Sequence, residues 1–147
     1  MRYKKYDYLC EDAKNIRQSV FIDEQGFENE FDETDDKSVH LVFYIGESPA
    51  AVCRYYREDL TDSEEDVFRI GRVAVMKEFR GRNLGSKIME AAEFEISKDG
   101  GRKIILSAQT RVKGFYEKSG YAQIGKEYYD EFCPHIKMEK IIKPQGN

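Results

Sequence analysis

The stretch that decides the fold is RVAVMKEFRGRNLGS, residues 72–86. It begins inside a strand predicted over residues 67–76, passes through a short basic loop with glycines, and enters an amphipathic helix predicted over residues 84–98. A helix N-terminus leaves its first backbone N–H groups without partners inside the helix and carries about half a positive charge. Glycines let such a backbone approach an anion closely. The loop at residues 80–86 therefore predicts a phosphate or pyrophosphate site.

Other phosphate-binding motifs fit this stretch less well. A P-loop requires G-x-x-x-x-G-K-[ST], but Gly81 and Gly85 are one residue too close, and Ser86 precedes Lys87 in the reverse order. A dinucleotide fingerprint requires G-x-G-x-x-G, and only two of those glycines are present. Spacing alone also allows a turn that merely connects the strand to the helix.

The remaining periodicity predicts one mixed α/β domain over residues 1–147. Two acidic segments, residues 28–36 and 58–66, are predicted to be solvated loops. Besides the elements at 67–76 and 84–98, the pattern predicts helices at 11–25 and 111–118 and strands at 3–8, 39–45, 50–57, 103–108, from 121, and at 136–142.

Composition argues against several classes of protein. The net charge of −4 disfavours a broad attraction to nucleic acid, and no apolar run approaches the length of a membrane span. No apolar signal core follows the basic residues 1–5, so we expect a cytoplasmic protein. Cys10, Cys53 and Cys133 form neither a C-x-x-C pair nor a Cys/His zinc spacing. We therefore expect reduced thiols and no metal.

The loop resembles the acetyl-CoA loop of the GNAT superfamily of N-acetyltransferases, whose pattern is [RQ]-x-x-G-x-[GA]. Arg80 matches its first position and Gly85 its last, while Asn83 replaces the middle glycine. Asparagine is the non-glycine residue that best tolerates a left-handed backbone, so this departure weakens the match only slightly. A second family motif, F-Y-x-x-x-G-[FY], is matched in the expected order by residues 115–121.

The resemblance implies a fold and a reaction. The fold is α/β of the α+β type, with a mixed, mostly antiparallel central sheet of about six or seven strands and helices on both faces. The reaction is transfer of an acetyl group from acetyl-CoA to an amine, directly within a ternary complex. Three further segments resemble a less-studied bacterial branch of the superfamily: VFIDEQ at 20–25, SAQ at 107–109 and PHIKM at 134–138.

The resemblance also assigns residues to the co-substrate. The backbone of three strand residues would pair with the pantetheine arm as an added strand would, and the loop would bind the pyrophosphate of CoA. Tyr116 matches the position that protonates the leaving CoA thiolate in many GNAT enzymes. A phenol with pKa about 10 can give that proton to a thiolate whose thiol has pKa about 8.5. Without the resemblance, Tyr116 is a packed helix residue. The strand residues are Val73, Ala74 and Val75; the loop residues are Arg80, Gly81, Arg82, Asn83, Leu84, Gly85 and Ser86.

The attacking amine must lose a proton, which requires a base. Glu24, Glu30 and His135 are the candidates. We favour His135 because it lies in the family-like PHIKM segment and because histidine titrates near neutral pH. The alternative for His135 is a structural hydrogen bond within a strand.

Three polar residues are expected to line the acceptor pocket. Arg54 and Arg72 lie in otherwise apolar strands, where an arginine is usually paired or lines a cleft, and Gln109 ends another strand. They would suit an amine that also carries a carboxylate. The acidic residues 28–36 could instead attract a cationic acceptor such as a polyamine.

Several alternatives stay open. The acceptor could be a small molecule or a protein amine, and dimers are common in such families, so a homodimer is compatible with the sequence. The chain could also be a GNAT-like module that binds acyl-CoA without transfer, or a phosphate-site protein for another nucleotide. Tyr116 distinguishes the first two, because a binding module needs no acid at the thioester.

Overall fold

A computed structural model describes residues 2–58 and 66–145 of the 147-residue chain. The chain divides into two compact units, Met1–Tyr56 with Ile70–Glu95, and Arg57–Arg69 with Ile96–Asn147. The strands are β1 (Arg2–Tyr6), β2 (Val39–Ile45), β3 (Ser48–Arg57), β4 (Val67–Val75), β5 (Lys103–Gln109), β6 (Ala122–Asp130) and β7 (Cys133–Ile141). The α-helices are α1 (Glu11–Arg17), α2 (Leu84–Lys98) and α3 (Lys113–Lys118). A π-helix spans Gln18–Glu24, and 3₁₀ turns span Glu33–Lys37, Lys77–Phe79 and Thr110–Val112.

The strands form one seven-stranded sheet in the order β1-β2-β3-β4-β5-β7-β6. The ladders β1–β2, β2–β3, β5–β7 and β6–β7 are antiparallel, whereas β4 and β5 run parallel. The expected mixed, mostly antiparallel α/β class is therefore confirmed.

Helix α2 belongs almost wholly to the first unit and buries the stripe that its periodicity predicts. Ile88, Ala92 and Ile96 are fully buried, as are Leu41 on β2 and Val52 on β3. The β2–β3 hairpin closes through a two-residue turn at Gly46 and Glu47, whereas the strands predicted at 39–45 and 50–57 left four residues between them.

In the second unit, the paired strands β5 and β7 have an apolar face and a polar face because side chains alternate along a strand. Leu106 lies opposite Met138 and Ala108 opposite Ile136, and all four are buried. The intervening residues pair Ser107 with Lys137 and Gln109 with His135, so these four side chains share the other face.

The helix predicted over residues 11–25 differs in kind from the structure. It is α-helical only to Arg17 and continues as a π-helix to Glu24. Gly26 ends it with a φ of 81°, and its N–H donates to the carbonyl oxygen of Ile22 at 3.0 Å. Single π-helical turns are rare and frequently lie at functional sites.

Two expectations concern other parts of the chain. Most of the predicted acidic loop at residues 58–66 lies outside the described residues. No helix within the described ranges is both long and apolar enough to cross a membrane.

Candidate active site

The loop between β4 and α2 reverses the chain with two left-handed residues. Gly81 has a φ of 84° and Asn83 a φ of 63°. A Cβ at Gly81 would meet nothing within 4 Å, so its backbone angle rather than crowding favours glycine there. The carbonyl oxygen of Asn83 accepts the N–H of Lys87 at 3.2 Å and so closes the first turn of the helix. The first N–H groups of α2 then have no acceptor within the helix, which suits them to an anion.

Residues 73–75 lie at the end of β4 beyond its ladder with β5. That ladder joins Val67–Arg69 to Lys103–Ile105, whereas β4 continues to Val75. Ala74 is buried, and Val73 and Val75 are half-buried. Where a strand extends beyond its pairing with a neighbouring strand, an extended ligand can form hydrogen bonds with its backbone.

Arg80 is held by two parts of the first unit. Its Nε donates to the carbonyl oxygen of Val75 at 3.0 Å, and its Nη1 and Nη2 donate to the two carboxylate oxygens of Glu24 at 2.9 and 2.8 Å. The hydrogen bonds from Arg80 lower the pKa of Glu24. Arg82 is exposed instead and lies over the ring of Phe79, at 5.6 Å from its centroid.

The first unit contains a buried ion cluster around Arg17. Its guanidinium is fully buried and donates to Glu30 Oε2 at 2.8 Å, to Asp35 Oδ1 at 2.7 Å and to the carbonyl oxygen of Glu30 at 3.0 Å. Glu30 and Asp35 are each 4% exposed. The ring of Phe31 covers the Arg17 guanidinium at 4.9 Å. The prediction of a solvated loop over residues 28–36 is therefore wrong for Glu30 and Asp35, because arginines from elsewhere in the fold compensate their burial.

Arg54 and Arg72, the two arginines expected at the acceptor pocket, join the same cluster. Arg54 Nη1 donates to Asp32 at 2.7 Å and to Asp35 at 2.8 Å. Arg72 Nε lies 3.0 Å from Glu30 Oε2, and its Nη2 lies 3.3 Å from Asp32 Oδ2. The side chains of Asp32 and Arg72 are 40% and 24% exposed, so this end of the cluster is its most accessible part. An acceptor carboxylate would meet guanidinium groups that already have partners.

The cluster shifts the pKa of several groups. Burial alone would raise the pKa of Asp35, but hydrogen bonds from Arg17 and Arg54 outweigh it and lower the value to about 2. Burial raises the pKa of Glu30 despite the nearby arginines. Burial lowers the pKa of His40, whose Nε2 lies 3.0 Å from the carbonyl oxygen of Asp35. Asp35 therefore stays ionised and His40 neutral at neutral pH.

Arg72 has a left-handed backbone in the middle of β4, with a φ of 54°. For a residue other than glycine this conformation costs on the order of 1 kcal/mol or more, and it persists where surrounding contacts fix it. Here the ion pairs with Glu30 and Asp32 supply such contacts.

The second unit brings together two predicted site residues, His135 and Gln109, as direct cross-strand partners. His135 Nδ1 lies 3.0 Å from the carbonyl oxygen of Cys133. Since a carbonyl only accepts, Nδ1 carries the hydrogen, and the neutral imidazole keeps its lone pair on Nε2. Tyr128, the partner of His135 on β6, stacks on the imidazole with ring centroids 6.0 Å apart. Gln109 Oε1 accepts a hydrogen bond from Arg111 Nε at 3.0 Å.

Tyr116 lies on α3 in the same unit and is 8% exposed. Its ring makes edge contacts with Phe115 at 4.9 Å and with Tyr121 at 6.0 Å between centroids. These three aromatic residues belong to the motif at 115–121, so the motif also builds a local packing unit.

Sequence reasoning missed the roles of Arg17 and Glu24. Arg17 lies on the apolar stripe of the first helix between Ala13 and Val20, and a charge on a buried stripe is the signal that could have revealed it. Glu24 appeared only as a candidate base, because its partner Arg80 lies 56 residues away in sequence.

Comparison with known proteins gives consistent results. The family model for the acetyltransferase (GNAT) domain matches residues 7–142. The chain is 35% identical over 139 residues to the uncharacterized N-acetyltransferase YjcF of Bacillus subtilis, covering 92% of this chain and 95% of that protein. The structure of a candidate N-acetyltransferase from Lactobacillus plantarum superposes with a TM-score of 0.82 at 27% identity, covering 95% of this chain and 97% of that one. An aminoglycoside 6'-N-acetyltransferase complexed with coenzyme A covers 100% of both chains with a TM-score of 0.74, but at 14% identity it shows the fold alone.

Proposed function

This chain belongs to the GNAT family of acetyltransferases, and on that premise we propose that it transfers an acetyl group from acetyl-CoA directly to an amine. The loop at residues 80–86 carries the proposal. Left-handed Gly81 and Asn83 turn the chain into α2 with its first N–H groups available to an anion such as the CoA pyrophosphate. The coenzyme A complex of the aminoglycoside acetyltransferase supports CoA as the ligand of this fold.

Residues 73–75 would bind the pantetheine arm through backbone hydrogen bonds along the edge of β4 that continues past its ladder with β5. The loop residues from Arg80 to Ser86 would enclose the pyrophosphate. The positively charged Arg82 adds attraction for the phosphates, since its guanidinium is exposed.

The chemistry requires two proton transfers. The amine nitrogen attacks the thioester carbonyl carbon, the C–S bond breaks, and the CoA sulfur leaves as a thiolate. His135 accepts the proton of the amine at Nε2, which the hydrogen bond from Nδ1 to Cys133 leaves with a lone pair. Tyr116 donates its phenolic proton to the thiolate.

For the acceptor we retain an amine that also carries a carboxylate, with Arg54, Arg72 and Gln109 lining its pocket. Because Arg54 and Arg72 already pair with acidic residues of the ion cluster, the acceptor must compete with one of these residues. The acceptor carboxylate must reach Arg72 at the exposed end of the cluster, where it would compete with Asp32. Replacement of Arg72 by methionine should then raise the acceptor KM, and an unchanged KM and kcat would argue against the assignment.

Isothermal titration with acetyl-CoA tests the loop. Gly85→Glu should abolish binding, because it places bulk and negative charge at the pyrophosphate. The substitution should not unfold α2, since glutamate is a better helix former than glycine and is favoured in a first turn. Phe94→Glu is the matched control, because it adds the same charge at a 48% exposed position of the same helix. Binding that survives Gly85→Glu would exclude the loop as the CoA site.

Amine-dependent release of free CoA tests transfer. Tyr116→Phe keeps the ring that packs on Phe115 and Tyr121 and removes the phenolic hydroxyl group that would act as the acid. It should lower kcat at least about tenfold while acetyl-CoA affinity is kept. Tight acetyl-CoA binding with no transfer to any amine would favour an acyl-CoA-binding module instead.

A further inference from the structure

Arg80 is the first residue of the loop at residues 80–86, yet its guanidinium already donates hydrogen bonds to oxygen atoms of the protein itself. The two Nη groups donate to the two oxygens of Glu24, and Nε donates to the carbonyl oxygen of Val75. This two-point geometry is the one by which arginine binds carboxylates and phosphates alike. The Glu24 carboxylate therefore takes the place that a phosphate would need on Arg80.

We propose that Glu24 and Arg80 are positioning residues that hold the loop in the shape that binds acetyl-CoA. In this assignment Arg80 is not a phosphate ligand and Glu24 is not the general base. The assignment rests on the proposed function in one respect, namely that residues 80–86 are the CoA site.

The contacts join the start of the loop to the end of β4 and to the π-helix. Val75 is the last residue of β4, and Glu24 is the last residue of the π-helix. Arg80 lies between them and immediately before Gly81, the first left-handed residue of the loop. Fixing the Arg80 side chain at three points therefore fixes where the backbone enters the turn that presents the N–H groups of α2.

The electrostatics favour positioning over phosphate binding. To reach a phosphate, Arg80 would have to leave a carboxylate that is one-third exposed without its partner. The hydrogen bonds from Arg80 also keep the pKa of Glu24 low, which makes Glu24 a poor proton acceptor. Arg82, by contrast, is exposed and has no carboxylate partner among the described residues, so it is the loop arginine available to phosphate.

Titration calorimetry with acetyl-CoA at several salt concentrations separates the two roles. The variants are Glu24→Gln, Arg80→Gln, their combination, and Arg82→Gln. Glu90→Gln is the matched control, since it makes the same charge change at an exposed position of α2. Thermal melting checks that each variant is folded.

We expect Glu24→Gln and Arg80→Gln each to weaken binding about fivefold, given the half-exposed pair. The double variant should be no weaker than the worse single one, because both remove the same interaction. Affinity should remain as salt-dependent as in the wild type for these variants. Arg82→Gln should flatten the salt dependence, because it removes a screened charge near the phosphates. Glu90→Gln should bind as the wild type does.

Two results would overturn the assignment. The first is that the Glu24→Gln variant binds acetyl-CoA as tightly as the wild type, or more tightly. This would show that Arg80, once it has lost Glu24 as a partner, binds a phosphate of CoA. The second is that the affinity of the Arg80→Gln variant for acetyl-CoA depends less on salt than that of the wild type, which would also show that Arg80 binds a phosphate. If the Glu24→Gln variant does not fold, Glu24→Asp replaces it in the experiment. Its shorter side chain keeps the charge but should also weaken acetyl-CoA binding. Unchanged affinity of this variant would overturn the assignment. A wild-type protein that does not bind acetyl-CoA would overturn the proposed function itself.

Discussion

Replacing Asp35 with asparagine should destabilise the fold strongly at neutral pH, because the change removes one charge from the buried cluster and leaves its shape intact. Asp35 contacts Arg17 at 2.7 Å and Arg54 at 2.8 Å. In asparagine, one carboxylate oxygen becomes an NH₂ group, which cannot accept a hydrogen bond from a guanidinium. The buried Arg17 and Arg54 then lose part of their compensation.

The magnitude follows from the pKa of Asp35. This pKa falls from 3.8 in the unfolded chain to about 2 in the folded protein, and each unit of difference is worth about 1.36 kcal/mol. The ionised carboxylate therefore contributes on the order of 2 kcal/mol of stability. Breaking a buried ion pair by removing one partner often costs about 3–5 kcal/mol. We therefore expect Asp35→Asn to lower the free energy of unfolding by about 2–5 kcal/mol.

The sign of the pH dependence is fixed by the direction of the shift. Because the folded pKa lies below the unfolded one, the stabilisation is complete above about pH 4 and disappears as the pH falls towards about 2. The wild-type protein should lose this contribution over that range, and Asp35→Asn should lack it at every pH.

Equilibrium urea unfolding at pH 7 and at several acidic pH values is the appropriate assay. Asp36→Asn is the matched control, since Asp36 is the neighbouring acid and is exposed. A loss for Asp35→Asn below about 1 kcal/mol, or equal to that of Asp36→Asn, would refute the view that this charge is needed inside the fold.

Three further predictions follow from single residues. Asn83→Gly should keep acetyl-CoA binding and leave stability unchanged or slightly higher, because φ is 63° there; weaker binding on calorimetry would contradict the loop geometry. Gly101→Ala should lower the free energy of unfolding, measured with urea, by more than about 1 kcal/mol, because its Cβ would lie 2.3 Å from Ile96 Cγ2. Gly114→Ala, which meets nothing within 4 Å, is its control and should be neutral or stabilising. His135→Gln should lower kcat while acetyl-CoA affinity is kept, because it removes the group that accepts the proton of the amine, and an unchanged kcat would exclude His135 as the base.

The elements that the sequence predicts well are those that local periodicity or composition specifies. The apolar stripe over residues 84–98 predicts α2, and a short run rich in Ile and Leu predicts β5. The structure places both close to their predicted ends. The conformation of the loop at residues 80–86 can also be predicted from the sequence, because Gly81, Asn83 and the start of the helix lie close together along the chain. Left-handed Asn83 confirms the conformation inferred from its residue type.

The ion cluster and the π-helix could not be predicted in the same way. Glu30 and Asp35 look like solvated acids because their arginine partners lie 13 to 19 residues away, or further in the case of Arg72. The π-helix has the same residue types as an α-helix, so periodicity over residues 18–24 does not reveal it. Charge pairing and helix type depend here on tertiary contacts, which a local pattern does not contain.

The π-helix also fixes the direction in which Glu24 lies relative to Arg17. In an α-helix each residue turns the chain by about 100°, since 3.6 residues complete a turn, whereas the i→i+5 hydrogen bonds of a π-helix leave a smaller turn per residue. If residues 18–24 kept their number but wound as regular α-helix, the difference would add up over the seven residues and rotate Glu24 by roughly 100° relative to Arg17. The two anchors, one in the ion cluster and one on Arg80, could then no longer be satisfied together. A change that restores regular α-helix without removing a residue would therefore separate the two ends of the segment at once.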